Sequence, residues 1–255
     1  MSAVLVGTSH GTDDPAGQAA VRALLDGVRV ARPELDVREA FVDVQQPEVG
    51  EVLAGAVRDA GNAVVVPLLL STGYHVRHDI AQAVAEVNAA GRPGDGAAGP
   101  GGAVAAEPLG PHPLLVDILA DRYAAAVAAH GPFRSDDVVV LAAAGSSVAA
   151  AATAVEEVTS ALAQRLGRVV TPSYGAGAEP RVPAAVAAAR AAAGTSAARV
   201  IVVSYLLAPG YFLDRVLEAG ADVVTDPVAG PARAKKADPR LVQVVLDRYD
   251  AAVSP

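Results

Sequence analysis

Short runs of β-branched and aliphatic residues recur along the chain, each followed by a longer Ala-rich stretch of helical composition. The runs at Ala3–Gly7, Asp36–Val42, Ala63–Leu69 and Val104–Glu107 predict four strands in the first half. Four more are predicted at Val138–Ala142, Arg168–Thr171, Val200–Tyr205 and Val223–Thr225. Between the first four, Ala16–Ala31, Glu48–Ala60 and Asp79–Ala89 read as helices, with Leu114–Ala129 after the fourth strand and counterparts in the second half. Alternation of this kind builds a parallel sheet with helices on both faces, because a crossover between parallel strands needs a return of helix length.

The chain also repeats itself. Val4-Leu5-Val6 through His10-Gly11-Thr12 matches Val138-Val139-Val140 through Ala144-Gly145-Ser146, and Val65-Val66 through Gly73-Tyr74-His75 matches Val202-Val203 through Gly210-Tyr211-Phe212. The correspondence extends to the last helix, where Asp121-Arg122-Tyr123 matches Asp247-Arg248-Tyr249. The prediction is an α/β fold of two similar doubly wound lobes, each a four-stranded parallel sheet flanked by helices, with residues 1–131 forming the first lobe and 132–255 the second. Right-handed crossovers then place a ligand at the carboxyl ends of the strands, facing the other lobe. The Gly- and Pro-rich stretch Gly91–Gly102 reads as a mobile surface loop with no role of its own.

Composition removes several classes of function. Twenty basic residues against twenty-eight acidic leave a net charge of −8, which argues against nucleic acid and anionic membranes as partners. A polyanionic ligand therefore requires a local basic patch. With no cysteine, thiolate metal sites and cysteine nucleophiles are excluded, and a metal must be held by His, Asp, Glu or backbone oxygen. The start of the chain lacks the pattern of a secretory signal, and Val64–Leu70 is too short to cross a bilayer, so the expected location is the cytoplasm.

Two histidines stand where chemistry is expected. His10 lies in Gly7-Thr8-Ser9-His10-Gly11-Thr12-Asp13-Asp14-Pro15, between a buried strand and a helix for which Asp13 or Asp14 can supply the cap. His75 lies in Ser71-Thr72-Gly73-Tyr74-His75-Val76-Arg77-His78-Asp79, at the equivalent point after another strand. Two imidazoles at neighbouring strand ends can bind a divalent ion while leaving coordination positions open, and imidazole also accepts protons near neutral pH. The second half has Ala144 and Phe212 in their places, so the fold itself does not need the histidines. Asp43, after the second strand, is either a further carboxylate ligand or a turn residue. His78 reads as a solvated residue at a helix start or a secondary ligand, Asp79 as a cap or first-turn acid and His130 as structural; His112 either lines the same cleft or caps the following helix.

These segments, Ser9-His10-Gly11-Thr12-Asp13-Asp14-Pro15, Phe41-Val42-Asp43 with Pro47, and Val66-Pro67-Leu68-Leu69-Leu70 through Gly73-Tyr74-His75-Val76-Arg77-His78-Asp79-Ile80, resemble the class II chelatases of siroheme and cobalamin synthesis. The resemblance covers most of the first half, and the second half looks like a degenerate copy, as in the long two-lobed members. It implies a metal chelatase, a lyase acting as a sirohydrochlorin ferrochelatase or cobaltochelatase. Fe2+ or Co2+ would be its metal substrate and a sirohydrochlorin-like octacarboxylate tetrapyrrole the acceptor, with no permanent cofactor. His10 and His75 fall on the metal-handling positions. Two departures are Asp43 where Glu is common and the lack of a histidine-rich tail.

The expected substrate contacts are Ser9, Gly11, Thr12, Gly73, Tyr74, Arg77 and His112, with Arg77 among the groups holding carboxylates. Two lobes in one chain make a monomer possible without forbidding a dimer. One rival reading is a non-catalytic metal or tetrapyrrole carrier using the same cleft. Another is a phosphate-binding enzyme using the loop from Gly7 to Asp14, against which the absence of Lys or Arg in that loop weighs.

Overall fold

The computed structural model describes residues 2–71, 73–90, 102–193, 198–231 and 234–253, and for residues 74–76 the backbone alone. The loop expected at Gly91–Gly102 lies outside the described residues up to residue 101. Two four-stranded sheets are present, and every strand pairing in them is parallel. The first contains β1 (Val4–Ser9), β2 (Val37–Phe41), β3 (Asn62–Pro67) and β4 (Gly102–Ala105) in the order β2-β1-β3-β4. The second contains β5 (Val138–Ala143), β6 (Val170–Tyr174), β7 (Val200–Tyr205) and β8 (Val223–Val224) in the order β6-β5-β7-β8. The strands β1 and β7 are buried along their whole length, as continuous aliphatic runs must be when helices cover both faces.

In the first sheet, Val4, Val6, Ala40 and Val65 pack against Leu53 and Ala56 of α2 (Val49–Ala60) and Ile80 and Ala83 of α3 (Tyr74–Ala90). Helix α1 (Pro15–Ala31) turns Val21, Leu24, Leu25 and Val28 inward, a stripe at helical spacing. Asp14 starts it, its Oδ1 accepting from the amides of Ala16 and Gly17 at 2.7 and 3.1 Å, with Pro15 in the first helical position.

The partner of α1 comes from far along the chain. It is α8 (Pro239–Val253), which buries Leu241, Val242, Val244, Val245, Leu246 and Tyr249. A Cβ on Gly27 of α1 would lie 2.6 Å from Val242 Cγ2, the Tyr249 hydroxyl donates to the Ala3 carbonyl at 2.6 Å, and Arg32 pairs with Asp250 at 2.6 Å. Arg248 donates to the Leu109 carbonyl at 3.1 Å. In the second sheet the corresponding position is taken by α4 (Pro113–His130), which packs on α5 (Ala149–Leu166) and β7. There Asp117 pairs with Arg165 at 3.1 Å and Arg122 donates to the Val228 carbonyl at 3.4 Å. Helices α6 (Val182–Ala192) and α7 (Tyr211–Leu217) complete this unit.

The chain accordingly divides into one compact unit of Met1–Leu109 with Lys235–Pro255 and another of Gly110–Ala234. This differs from the boundary expected at 131/132. The internal repeat marks where the copy begins, whereas packing assigns the last helix of each copy to the other copy's sheet. Among the described residues, no helix is long and apolar enough to cross a membrane.

Candidate functional site

In each sheet the chain runs from the central strand outward to one neighbour and then returns to the other side, so the switch in direction falls between β1 and β3. Helix-length crossovers leave to opposite faces at such a point, and a crevice opens beyond the carboxyl ends of the two strands. Thr8 pairs with Pro67 in register, and the Leu68 amide donates to the Thr8 carbonyl at 2.7 Å, so β1 and β3 end side by side. His10 is the first residue past β1 and is exposed.

The backbone around His10 is tied to the turn after β2. The Val42 amide donates to the Ser9 carbonyl and the Asp43 amide to the His10 carbonyl, both at 3.0 Å. Gly11 has φ +93°, and a Cβ there would run into the Asp43 carbonyl oxygen, so only glycine fits. Asp43 is itself exposed, and its Oδ1 accepts from the Val44 amide at 2.7 Å. Both of its sequence readings thus remain compatible: it shapes the turn, and it stands beside His10. Val44 adopts φ +58°, a left-handed conformation uncommon for a β-branched residue.

The other expected site residues separate into two groups. Ser9 is buried and Thr12 is engaged locally, its amide donating to Gln45 Oε1 at 3.0 Å and its hydroxyl accepting from the Asp14 amide at 3.1 Å. These two shape the loop. Gly73 closes the first turn of α3, accepting at its carbonyl from the Arg77 amide at 3.1 Å. The helix therefore starts at Tyr74 and not at Asp79, which moves His75 from a loop into the first helical turn, just beyond β3. The side chains of Tyr74 and His75 lie outside the described residues, as does Thr72.

Arg77 is exposed and lines a cavity of about 150 Å³ with Pro67, Ile80, Ala105 and Glu107 at the ends of β3 and β4. That volume suits one ligand side chain and not a macrocycle, since sites for drug-sized ligands occupy about 300–1,000 Å³. His112 belongs to the second unit, where its Nδ1 accepts from the Leu114 amide at 3.2 Å and caps α4. His130 holds the Ala126 carbonyl at 2.8 Å, in keeping with its structural reading. Among the described residues, no group of three His, Asp or Glu side chains forms a metal cage.

The second unit reproduces this backbone. The Gly175 and Ala176 amides donate to the Ala143 and Ala144 carbonyls at 2.8 Å, and Gly145, at φ +86°, faces the Ala176 carbonyl as Gly11 faces that of Asp43. The parallel bridge from Tyr174 to Arg181 matches that from Phe41 to Glu48. His10, Asp43, Glu48, His75 and His78 thus correspond to Ala144, Ala176, Arg181, Phe212 and Arg215. Arg181 and Arg215 escaped the reading of the sequence, although extending the repeat by a few residues beyond its glycines would have exposed them.

The CbiX family profile matches residues 4–126 and again residues 138–252. A protein of Sulfolobus acidocaldarius named sirohydrochlorin cobaltochelatase is 29% identical over 96 residues, which span 37% of this chain and 70% of that protein. SirB from Bacillus subtilis with Fe3+ superposes with a TM-score of 0.77 at 19% identity, covering 100% of this chain and 96% of that one. The structure of CbiX, the terminal enzyme for biosynthesis of siroheme in denitrifying bacteria, gives a TM-score of 0.61 at 21% identity, covering 98% of this chain and 100% of that one. The two structural likenesses establish the two-lobed chelatase fold, and the two successive profile matches restate the internal repeat. The chain belongs to the CbiX family.

Proposed function

We propose that the protein is a cytoplasmic sirohydrochlorin chelatase that inserts Fe2+ or Co2+, as its metal substrate, into a sirohydrochlorin-like tetrapyrrole. The observation that carries the reading is the contrast at one backbone position. His10 stands exposed beyond the central strand at the switch point, while Ala144 occupies the same place on the same hydrogen-bonded scaffold in the second unit. Family membership supplies the reaction class. His75, in the first turn of the helix that follows the neighbouring strand, is the second metal-handling residue.

In this reading His10 and His75 present the ion to one face of the macrocycle with coordination positions left open, as transfer requires. The same imidazoles take up the two protons displaced from the pyrrole nitrogens. Asp43, tied to His10 through the backbone, adds negative charge that favours a cation beside it. Arg77 receives a carboxylate of the substrate at the cavity that it lines. Gly11, Gly73 and Tyr74 bring the backbone close to the ring, and His112 contributes through its cap on α4.

The test is metal insertion followed by the absorbance of the product. The double variant His10→Ala/His75→Ala is expected to fall by about 100-fold or more, the scale of losing positioned acid–base groups. Intact turnover in that variant overturns the assignment. Turnover also separates an enzyme from a carrier, since a carrier stops at one equivalent. Rates with Fe2+ and Co2+ at equal free concentration establish which metal is preferred.

A further inference from the structure

The carboxyl end of the second sheet carries a group of aromatic and basic side chains gathered around Gly175 and the start of α7. Phe212 lies against Gly175, where a Cβ would come within 2.7 Å of Phe212 Cδ1. Its ring meets that of Tyr211 edge to face at 5.4 Å between centroids, and the Arg215 guanidinium sits over the Tyr211 ring at 5.3 Å. Arg181 donates from Nη1 to the Gly175 carbonyl at 2.7 Å. The strip runs from Arg181, through Gly175 which both it and Phe212 touch, to Phe212, Tyr211 and Arg215, two cations with an aromatic pair between them. Tyr211 is 66% exposed, and the Arg181 and Arg215 side chains are 46% and 60% exposed.

The equivalent positions of the first unit hold Glu48, His75, Tyr74 and His78, and His10 and Asp43 there correspond to Ala144 and Ala176. In the second unit each acid or imidazole at these positions has thus become alanine, phenylalanine or arginine. That set repels a metal cation and attracts a flat apolar body with negative groups at its rim. Arg181 lies 3.3 Å from Glu179 and Arg215 lies 3.5 Å from Glu218. Both pairs are exposed, and exposed pairs are weak enough to give way to a ligand carboxylate. In a chain of net charge −8, two such guanidinium groups are the local patch that a polyanion needs.

We infer that this strip is a binding subsite for a planar polycarboxylate macrocycle, the aromatic pair packing on its ring and Arg181 and Arg215 taking its carboxylates. The inference rests on the chelatase reading for the identity of the ligand. On it, the positions that carry the metal-handling residues in the first unit carry macrocycle-binding residues in the second.

The test uses the full chain in metal-free buffer with uroporphyrin I, a metal-free porphyrin bearing eight carboxylates, and follows its fluorescence. Arg181→Gln/Arg215→Gln is expected to raise the Kd about tenfold or more at low salt, the worth of one or two hydrogen bonds to charged groups, with the gap narrowing as salt is added. A second variant, Ala176→Asp, installs the acid of the first unit and is expected to weaken binding without removing either arginine. Unchanged porphyrin affinity in both variants, with melting temperatures intact, overturns the subsite even if metal insertion proceeds normally. Arginine-dependent porphyrin binding by a chain that inserts no metal upholds the subsite and overturns the chelatase reading instead.

Discussion

After β2 the first unit turns through Asp43, Val44 and Gln45; after β6 the second turns through Ala176, Gly177 and Ala178. The central residue is left-handed in both, at φ +58° and +70°, and the residue after it donates its amide to the carbonyl of the residue before it, at 2.5 and 2.8 Å. The same loop is therefore built twice, once with side chains that carry charge and strain and once with almost none. Because backbone hydrogen bonds and two glycines are enough to hold the turn in the second unit, what the first unit adds to it is available for chemistry.

The sharpest way to break this comparison is to separate the copies. A chain of residues 1–131 lacks α8, so the surface of α1 and β3 on which that helix packs stays open and the burial of Leu241, Val244 and Val245 is lost, each such side chain being worth about 1.5–3 kcal/mol when buried. It is expected not to fold cooperatively alone, as followed by circular dichroism, and to gain structure when co-expressed with residues 132–255. A sharp independent melt of 1–131 would show that the exchange of last helices is dispensable.

Next in size are the paired glycines. Gly11→Ala and Gly145→Ala each place a Cβ against a carbonyl oxygen at positive φ, and each is expected to lower stability in urea by about 1–3 kcal/mol. Similar losses at both sites confirm one scaffold; a loss at only one would mean the turns are held differently.

A third test uses a pair found in the second unit, where Asp137 and Arg199 meet at 2.5 Å while the first unit has Ala3 and Asn62. Burial alone would raise the Asp137 carboxyl, but hydrogen bonds from the Arg199 side chain and from the Arg134 and Arg199 amides outweigh it and hold the group at about 2. The stabilisation is complete above the ordinary carboxylate value of about 3.9 and is lost as pH falls through the native value. Asp137→Asn is therefore expected to melt below the parent at neutral pH, with the difference closing between about pH 4 and pH 2. A difference independent of pH would assign the loss to packing.

The smallest effect is expected at Val44→Gly, which relieves a strained φ but adds freedom to the unfolded chain, for a net gain of about 1 kcal/mol or less in thermal denaturation. Loss of stability on that change would mean the valine side chain holds the turn.

Much of this was legible in the amino acids. Strands such as Val200–Tyr205 announce themselves because burial on both faces demands unbroken aliphatic runs, and Asp14-Pro15 marks the start of α1 by its capping chemistry. His10 was legible as a displayed residue because Gly11 and the cap bracket it. The exchange of α4 and α8 was not, because both helices carry the same Asp-Arg-Tyr signature and an apolar face does not specify which of two similar sheets will receive it. The early start of α3 was obscured by Gly73 and the polar cluster after it. Arg181 and Arg215 read alone as ordinary solvated charges; only their alignment with Glu48 and His78 gives them meaning.

That exchange also orders events during synthesis. When the ribosome has finished β4, the first sheet has all its strands and still lacks α8, which is made only after the whole second unit. At about 5–20 residues per second, the apolar surface of α1 and β3 waits several seconds or longer before its cover exists. The second unit meets no such delay, since α4 leaves the ribosome before β5, and it is the part of the nascent protein able to close first.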